Sequence, residues 1–198
     1  MLQTIIFDVD GTLLDTETVY MQAWREAGAL HGYNISQEAL LQTRAVNMKL
    51  ATEIFSRHCG KAFDYEAVRT DRVRISEQII ASLTPSRLQM PQARQVLTLL
   101  KERGYQIATA SSTGLQKSKE HLAHAELLEL IDVVVGGDMV ENGKPAPDIF
   151  LKAALLCDCD PKNCIVVGDT PADVLAATAA GMDVVLIPDH VPASDQTR

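Results

Sequence analysis

Short apolar runs that each end in a polar or acidic residue constrain the fold of this chain most strongly. The three clearest pairs of run and polar residue are Thr4–Phe7 with Asp8, Gln106–Ala110 with Ser111, and Cys164–Gly168 with Asp169. Runs of this length are typical of buried parallel strands. Because ligands of open α/β sheets collect at the carboxyl ends of the strands, we expect these polar residues at one edge of one sheet.

Helical segments separate the predicted strands. Further apolar runs at Ile131–Val135 and Val184–Ile187 continue the alternation that is typical of a doubly wound parallel α/β sheet. Between Asp15 and Pro91 the apolar residues follow helical spacing instead, which predicts an all-helical insert. The sequence therefore predicts a core formed by residues 1–15 and 91–198, interrupted by a helical domain of residues 16–90.

The composition narrows the classes of function. The chain has 198 residues and a formal net charge of -8, and it shows no basic stripe that would bind a nucleic acid backbone. No apolar run reaches the length of a membrane span. The first residues lack the layout of a signal peptide, so we expect a cytoplasmic location. We also expect a monomer. The four cysteines form neither a CxxC redox pattern nor a zinc-ligand pattern; they are Cys59, Cys157, Cys159 and Cys164. We therefore expect reduced thiols with a structural role.

Two aspartates after the first predicted strand carry the first candidate chemistry. Asp8 and Asp10 precede Gly11, which permits a sharp turn, and Thr12, whose hydroxyl can brace the loop. Such a carboxylate pair can bind Mg²⁺, which typically takes one or two carboxylates together with substrate phosphate. An isolated pair also occurs where turn aspartates bind the backbone, so the pair alone leaves both interpretations open.

Two later segments supply groups that suit a phosphate ligand. Ser111 and Ser112 lie at the start of a predicted helix, where hydroxyl and N–H groups either bind phosphoryl oxygens or cap the helix. Lys144 lies in a loop that Pro145 and Pro147 stiffen, so its ammonium group is presented to a ligand. A solvated surface lysine is the alternative interpretation.

Two further aspartates lie after the strand that ends at Gly168. Asp169 adds a third carboxylate at the predicted edge, where it completes a cation site with the first pair. Asp173, one helical turn later, either joins that site or only caps its helix. With the cation and Lys144 neutralising a phosphate, Asp8 could approach phosphorus as a nucleophile.

The motif order resembles a known family. The four segments Asp8–Thr12, Ala110–Ser112, Gly143–Pro145 and Gly168–Asp173, with a helical insert after the first, are similar to the haloacid dehalogenase superfamily, in particular its phosphatase and β-phosphoglucomutase-like branch. The resemblance covers nearly the whole chain. It implies a Rossmann-like core, a mobile helical cap, and Mg²⁺-dependent hydrolysis of a small phosphorylated metabolite, such as a sugar phosphate, through an aspartyl-phosphate.

The resemblance also implies a role for each motif residue. Asp8 is expected to attack phosphorus, and Asp10 to protonate the leaving oxygen and later activate water. The phosphoryl group is expected to be held by Ser111, Ser112 and Lys144. The expected ligands of Mg²⁺ are Asp8, the backbone carbonyl of Asp10, Asp169 and, directly or through water, Asp173.

Two alternatives to a phosphatase remain open at this stage. A hexose-phosphate mutase would share the main motifs, but that branch usually has a small apolar residue where this chain has Thr12, a histidine at Tyr20, and Glu-Asp at Asp169–Thr170. A non-catalytic relative that binds a metabolite would not need both Asp8 and Asp10. The sequence therefore favours the phosphatase.

One residue of the predicted helical domain is a candidate for substrate recognition. Arg44 lies in a polar segment between two helical patterns, and a guanidinium group suits anionic or polyhydroxylated substrates. An ordinary solvated charge is the alternative interpretation.

Overall fold

The computed structural model describes residues 2–43 and 48–187, which form two compact units. The helical unit comprises residues 16–83, and the sheet unit comprises residues 1–15 and 84–198. This division differs from the predicted boundary in residues 84–90. Those residues join the sheet unit because the Asp15 N–H donates to the Leu88 carbonyl, and the Met90 N–H to the Leu13 carbonyl, at 2.9 Å each.

The described part of the helical unit contains four helices and no strand, as the apolar spacing predicts. The helices are α1 (Thr16–Leu30), α2 (Gln37–Gln42), α3 (Met48–Cys59) and α4 (Tyr65–Ser82). Two of them begin at side-chain caps, because Ser36 accepts from the Ala39 N–H and Asp64 from the Ala67 N–H, each at 3.1 Å.

Aromatic rings form the centre of the helical unit. Phe55 is fully buried, and its ring lies 4.7 Å from that of Trp24 and 5.1 Å from that of Phe63, centroid to centroid. Tyr33 and Tyr65 extend the cluster at 4.8 Å from Phe63 and 5.7 Å from Trp24. Aromatic pairs at these distances each add about 0.5–1.5 kcal/mol to the free energy gained by burial.

The sheet unit is built on five parallel strands in the order β3-β2-β1-β4-β5. They are β1 (Thr4–Phe7), β2 (Gln106–Ser111), β3 (Val133–Gly136), β4 (Cys164–Gly168) and β5 (Asp183–Leu186). Every predicted strand is present. β3 begins two residues later than predicted, because the Asp132 side chain turns to accept a hydrogen bond from the Ile107 N–H at 2.9 Å.

Besides three 3₁₀-helices at Leu128–Leu130, Gly137–Met139 and Pro161–Asn163, five α-helices connect and cover the strands in the described part of the sheet unit. They are α5 (Pro85–Leu88), α6 (Ala93–Glu102), α7 (Leu115–His124), α8 (Asp148–Leu156) and α9 (Pro171–Ala179). Ile149 and Phe150 of α8 pack on Ile6 and Val166 in one apolar core on the sheet. The fold is therefore the predicted doubly wound, Rossmann-like core with an all-helical insert.

The register of the sheet brings the predicted polar residues to one edge. Phe7, the last residue of β1, pairs with Thr109 of β2 and Val167 of β4. Asp8 and Asp169 therefore both follow strand ends on the same side of the sheet, and Ser111 ends β2 beside them. No helix in the described ranges is both long and apolar enough to span a membrane.

Candidate active site

A buried ion pair lies at the centre of this sheet edge. The Lys144 ammonium group donates to Asp8 Oδ1 at 2.5 Å and to the Ala110 carbonyl at 2.9 Å, and it lies 2.7 Å from Asp173 Oδ1. Its side chain is only 6% exposed. The alternative of a solvated surface lysine is therefore wrong, because the loop directs this side chain into the sheet edge.

Burial and neighbouring charges shift the ionisation of this pair. Burial raises the pKa of the Asp8 carboxyl well above its usual range, and the Asp173 and Asp10 carboxylates raise it further, against the opposing effect of Lys144. Burial alone would lower the pKa of Lys144, but the carboxylates of Asp8 and Asp173 outweigh it, so the pKa is raised and the lysine stays charged. Asp8 thus depends on nearby positive charge for its ionised form.

Asp173 both caps a helix and joins the site. Its Oδ2 accepts hydrogen bonds from the Thr170 N–H at 3.0 Å and the Thr170 hydroxyl at 2.6 Å, which completes a capping box at the start of α9. Its other oxygen, Oδ1, is the one that contacts Lys144. Asp173 therefore caps its helix and also contacts Lys144, and its role as a ligand of the cation stays a prediction.

Asp169 is held in place by the loop that follows β1. The Thr12 hydroxyl donates to Asp169 Oδ1 at 3.2 Å, which confirms that Thr12 braces the site. Gly11 has φ +86°, and a Cβ atom there would lie 2.5 Å from Asp169 Oδ2. Only glycine therefore lets the β1 loop pass this closely over the Asp169 carboxylate.

These aspartates fit a divalent cation. Oxygens of Asp8, Asp169 and Asp173, the carboxylate cluster, lie within 4.8 Å of one another. When ionised the cluster carries three negative charges, and Lys144 supplies one positive charge. Hard oxygen donors with surplus negative charge are the ligand set that Mg²⁺ prefers, so the residues present fit the expected ion.

The second aspartate of the first motif forms a separate contact. Ser111 and Thr113 each donate a hydroxyl hydrogen bond to Asp10 Oδ2 at 3.0 Å. Ser111, predicted to bind phosphate, is fully buried beside Asp10, whereas Ser112 is exposed. The sequence motifs do not point to Thr113. The signal that indicates it is a third hydroxyl directly after Ser111 and Ser112, just past the end of β2.

The site therefore unites most of the predicted residues. Lys144 contacts both Asp8 and Asp173, Asp169 lies in the carboxylate cluster, and Asp10 is held by Ser111. Arg44 lies outside the described residues, so its role stays a prediction.

The comparison with protein families identifies the class to which this site belongs. Residues 2–181 match the family described as haloacid dehalogenase-like hydrolase. The chain belongs to this family, as the order of its motifs predicts.

Individual relatives show which members of this hydrolase family the chain is similar to. The chain is 30% identical to fructose-1-phosphate phosphatase YqaB of Escherichia coli over 182 residues, which are 91% of this chain and 94% of that protein. It is 34% identical to (DL)-glycerol-3-phosphatase 2 of Arabidopsis thaliana over an alignment of 206 positions, which covers 97% of this chain and 84% of that protein. The first relative is named as a phosphatase of a sugar phosphate, and the second as a glycerol-3-phosphatase.

A solved structure shows that the fold is shared more widely. The crystal structure of β-phosphoglucomutase from Clostridium difficile superposes with a TM-score of 0.79 at 23% identity, over 96% of this chain and 86% of that one. At this identity the likeness shows a shared fold and does not decide between phosphatase and mutase.

Proposed function

We propose that this protein is a Mg²⁺-dependent phosphatase that hydrolyses a small sugar or polyol phosphate through an aspartyl-phosphate on Asp8. The observation that carries the proposal is the buried contact between Asp8 and Lys144 inside the carboxylate cluster. A charged lysine and a group of cation-binding carboxylates next to one carboxylate suit the transfer of a phosphoryl group to that carboxylate.

Asp8 and Lys144 carry the first half of the proposed reaction. Asp8 attacks phosphorus in line, the bond between phosphorus and the leaving oxygen breaks, and the phosphoryl group becomes bound to Asp8. Lys144 neutralises a phosphoryl oxygen, which reduces the repulsion between the carboxylate and the incoming anion. The loop from Ser111 to Gly114, at the start of α7, supplies backbone N–H groups for the remaining oxygens.

Asp10 serves as the proton carrier in both halves. It donates a proton to the leaving oxygen, and it then removes a proton from the water that attacks the aspartyl-phosphate. Its position two residues after Asp8 and its contact with Ser111 support this role.

Asp8, Asp169 and Asp173 would hold Mg²⁺, together with the backbone carbonyl of Asp10 that the family resemblance implies. When bound, the ion supplies positive charge that offsets the phosphate and favours the ionised form of the adjacent carboxylates. Thr12 and Gly11 keep Asp169 in place for this purpose, and Thr170 does the same for Asp173.

Two observations favour the phosphatase over the mutase. Both relatives named above are phosphatases, one of fructose 1-phosphate and one of glycerol 3-phosphate. Thr12 and Thr170, at which the sequence departs from the mutase pattern, each hold a carboxylate of the cluster. Incubation with β-glucose 1-phosphate separates the alternatives, because a phosphatase releases inorganic phosphate, whereas a mutase forms glucose 6-phosphate.

The proposal is tested by phosphate release from a panel of sugar and polyol phosphates, with and without Mg²⁺. We expect EDTA to abolish activity, and Mg²⁺ but not Ca²⁺ to restore it, because Ca²⁺ forms longer bonds in a looser shell. Asp8→Asn is expected to lower kcat by on the order of 10⁴-fold or more while the circular dichroism spectrum is unchanged. Undiminished activity in EDTA, or in Asp8→Asn, would overturn the proposal. A metabolite-binding relative without catalysis would release no phosphate from any ester.

Other predictions from the sequence accompany this proposal. A cytoplasmic location, a monomeric state and a contact between Arg44 and the substrate remain predictions. Arg44→Ala is expected to raise KM for the best substrate of the panel and to leave hydrolysis of para-nitrophenyl phosphate nearly unchanged, because the smaller ester needs only the sheet unit.

A further inference from the structure

Two hydroxyl groups converge on one oxygen of Asp10. The Ser111 and Thr113 side chains both contact Oδ2 of this carboxylate at 3.0 Å. The family motifs account for Ser111 as a phosphate ligand, and they assign nothing to Thr113. The convergence therefore requires an explanation of its own.

The two hydroxyl groups are the donors in both of these hydrogen bonds, and Asp10 Oδ2 is the acceptor. The Ser111 oxygen already accepts a hydrogen bond from the Thr113 N–H at 2.9 Å, so its own hydrogen is available for Asp10. With Thr113 donating as well, Oδ2 accepts two hydrogen bonds. The two hydroxyl groups therefore fix this oxygen of Asp10 from two residues of the same segment.

The backbone of Thr113 is fixed from two sides. Its carbonyl accepts from the Gly137 N–H at 2.9 Å and from the Ser118 hydroxyl at 3.3 Å. A Cβ atom at Gly137 would lie 2.4 Å from the Ser112 carbonyl oxygen, so the loop after β3 packs directly against the loop after β2. These contacts place the Thr113 hydroxyl on a rigid part of the sheet unit.

A carboxylate on the β3 loop secures the same segment. Asp138 Oδ1 accepts from the Leu115 N–H at 2.8 Å and so caps α7, whose N-cap residue Gly114 has no side chain. The capped helix and the β3 loop together restrict the segment on which Ser111 and Thr113 lie. The hydroxyl pair therefore holds the plane of the Asp10 carboxylate against a stiff support.

We propose that Thr113 is a positioning residue for Asp10. With Ser111 it holds Oδ2, and it so fixes the orientation of the carboxyl group that gives up a proton in the first half-reaction and takes one up in the second. The inference rests on the proposed function, because it concerns the efficiency with which Asp10 transfers a proton. Thr113 acts through Asp10 and needs no contact with the substrate for this role.

The dependence on the leaving group distinguishes this role from a general structural one. An alkyl or phenyl leaving group needs a proton as it departs, whereas para-nitrophenolate leaves with little help. Because kcat/KM reports the steps up to departure of the leaving group, removal of the Thr113 hydroxyl should affect only esters that need the proton.

The experiment measures kcat/KM of wild type and Thr113→Val with a series of substituted phenyl phosphates and glycerol 3-phosphate. We expect about a tenfold loss for the poorest leaving groups, the size of one hydrogen bond to a charged group, and less than about twofold for para-nitrophenyl phosphate. Thr113→Ser, which retains the hydroxyl, should restore most of the loss. Thr113→Ala removes the methyl group as well as the hydroxyl, and it should give the same dependence of kcat/KM on the leaving group as Thr113→Val.

Two controls complete the experiment. Thr98→Val removes a hydroxyl that donates to the Arg94 carbonyl of its own helix, and it should leave the whole series unchanged. In an Asp10→Asn background, Thr113→Val should cause no further loss. Equal losses for all leaving groups, or an undiminished loss in the Asp10→Asn background, would overturn the role of Thr113 alone. A wild-type enzyme that hydrolyses none of the esters would instead overturn the proposed function.

Discussion

The sheet unit and the helical unit bury different kinds of side chain. Among the described residues, every buried aspartate belongs to the sheet unit, namely Asp8, Asp169 and Asp173. The helical unit is centred instead on aromatic rings around Phe55. Buried charges tolerate little change because each needs its partner, whereas an apolar core tolerates substitutions of similar volume. Small changes around the buried carboxylates of the sheet unit should therefore impair the chemistry, whereas changes in the aromatic core of the helical unit should cost only stability.

The largest effect on stability is expected at Asp173. Asp173→Ala removes a partner 2.7 Å from buried Lys144 and both side-chain hydrogen bonds from Thr170. We expect the free energy of unfolding to fall by about 3 kcal/mol, measured by urea denaturation. Asp148→Ala, a first-turn acid of α8, is the control and should cost less than about 1 kcal/mol. Equal losses in the two variants would mean that the ion pair adds nothing beyond helix capping.

A pair of glycines gives a matched comparison of the two units. Gly11 and Gly32 have φ of +86° and +78°, so an alanine strains both by about 1–2 kcal/mol. A Cβ atom at Gly11 also meets the Asp169 carboxylate at 2.5 Å, whereas at Gly32 it meets no atom within 4 Å. Gly11→Ala should lower kcat by about 10²-fold and raise the Mg²⁺ concentration needed for half-maximal activity. Gly32→Ala should change neither quantity, and a normal Mg²⁺ requirement in Gly11→Ala would contradict this account of the loop.

The aromatic cluster should separate stability from chemistry. Phe55→Leu removes ring contacts to Trp24 and Phe63 but keeps an apolar side chain, so we expect a loss of about 1–2 kcal/mol in unfolding free energy. Hydrolysis of para-nitrophenyl phosphate per folded molecule should stay within about twofold of wild type. A large loss of kcat with this ester would show that the helical unit contributes to the chemical step.

The smallest effect is expected at Asp132, which lies on the sheet unit away from the site. Burial opposes its ionisation, but the Ile107 N–H and the Lys101 ammonium group outweigh burial and hold the pKa of Asp132 below its usual range. Its contribution to stability is therefore full above the unfolded pKa of about 3.9 and is lost as the pH falls through the lower folded value. Asp132→Asn should lower the unfolding free energy near neutral pH by less than about 1 kcal/mol, because the pair is partly exposed. Urea denaturation of wild type and Asp132→Asn, near neutral pH and at about pH 3, measures this difference in unfolding free energy. A difference that is larger in acid than near neutral pH would contradict the prediction.

The contrast between apolar packing and buried polar contacts also explains which features could be predicted from the sequence. Strand positions and the helical insert follow from apolar spacing, and Asp8, Ser111 and Asp169 follow from their places at strand ends. The contacts of Lys144 with Asp173, and of Thr113 with Asp10, join residues far apart in the chain. No local pattern encodes such a pairing, because it depends on the register of β2 and β4 against β1. The start of β3 could not be predicted for a similar reason, because Asp132 hydrogen-bonds to Ile107 of the neighbouring strand.

In the proposed reaction Asp8 carries the phosphoryl group. The direct measurement is an acid quench of the Mg²⁺-loaded enzyme during turnover of a ³²P-labelled ester, followed by peptide mapping of the label. We predict label on the peptide that contains Asp8 in wild type, increased in Asp10→Asn because water attack is slowed, and absent from Asp8→Asn. Label on another residue, or phosphate release by wild type with no labelled protein at any time, would contradict the account.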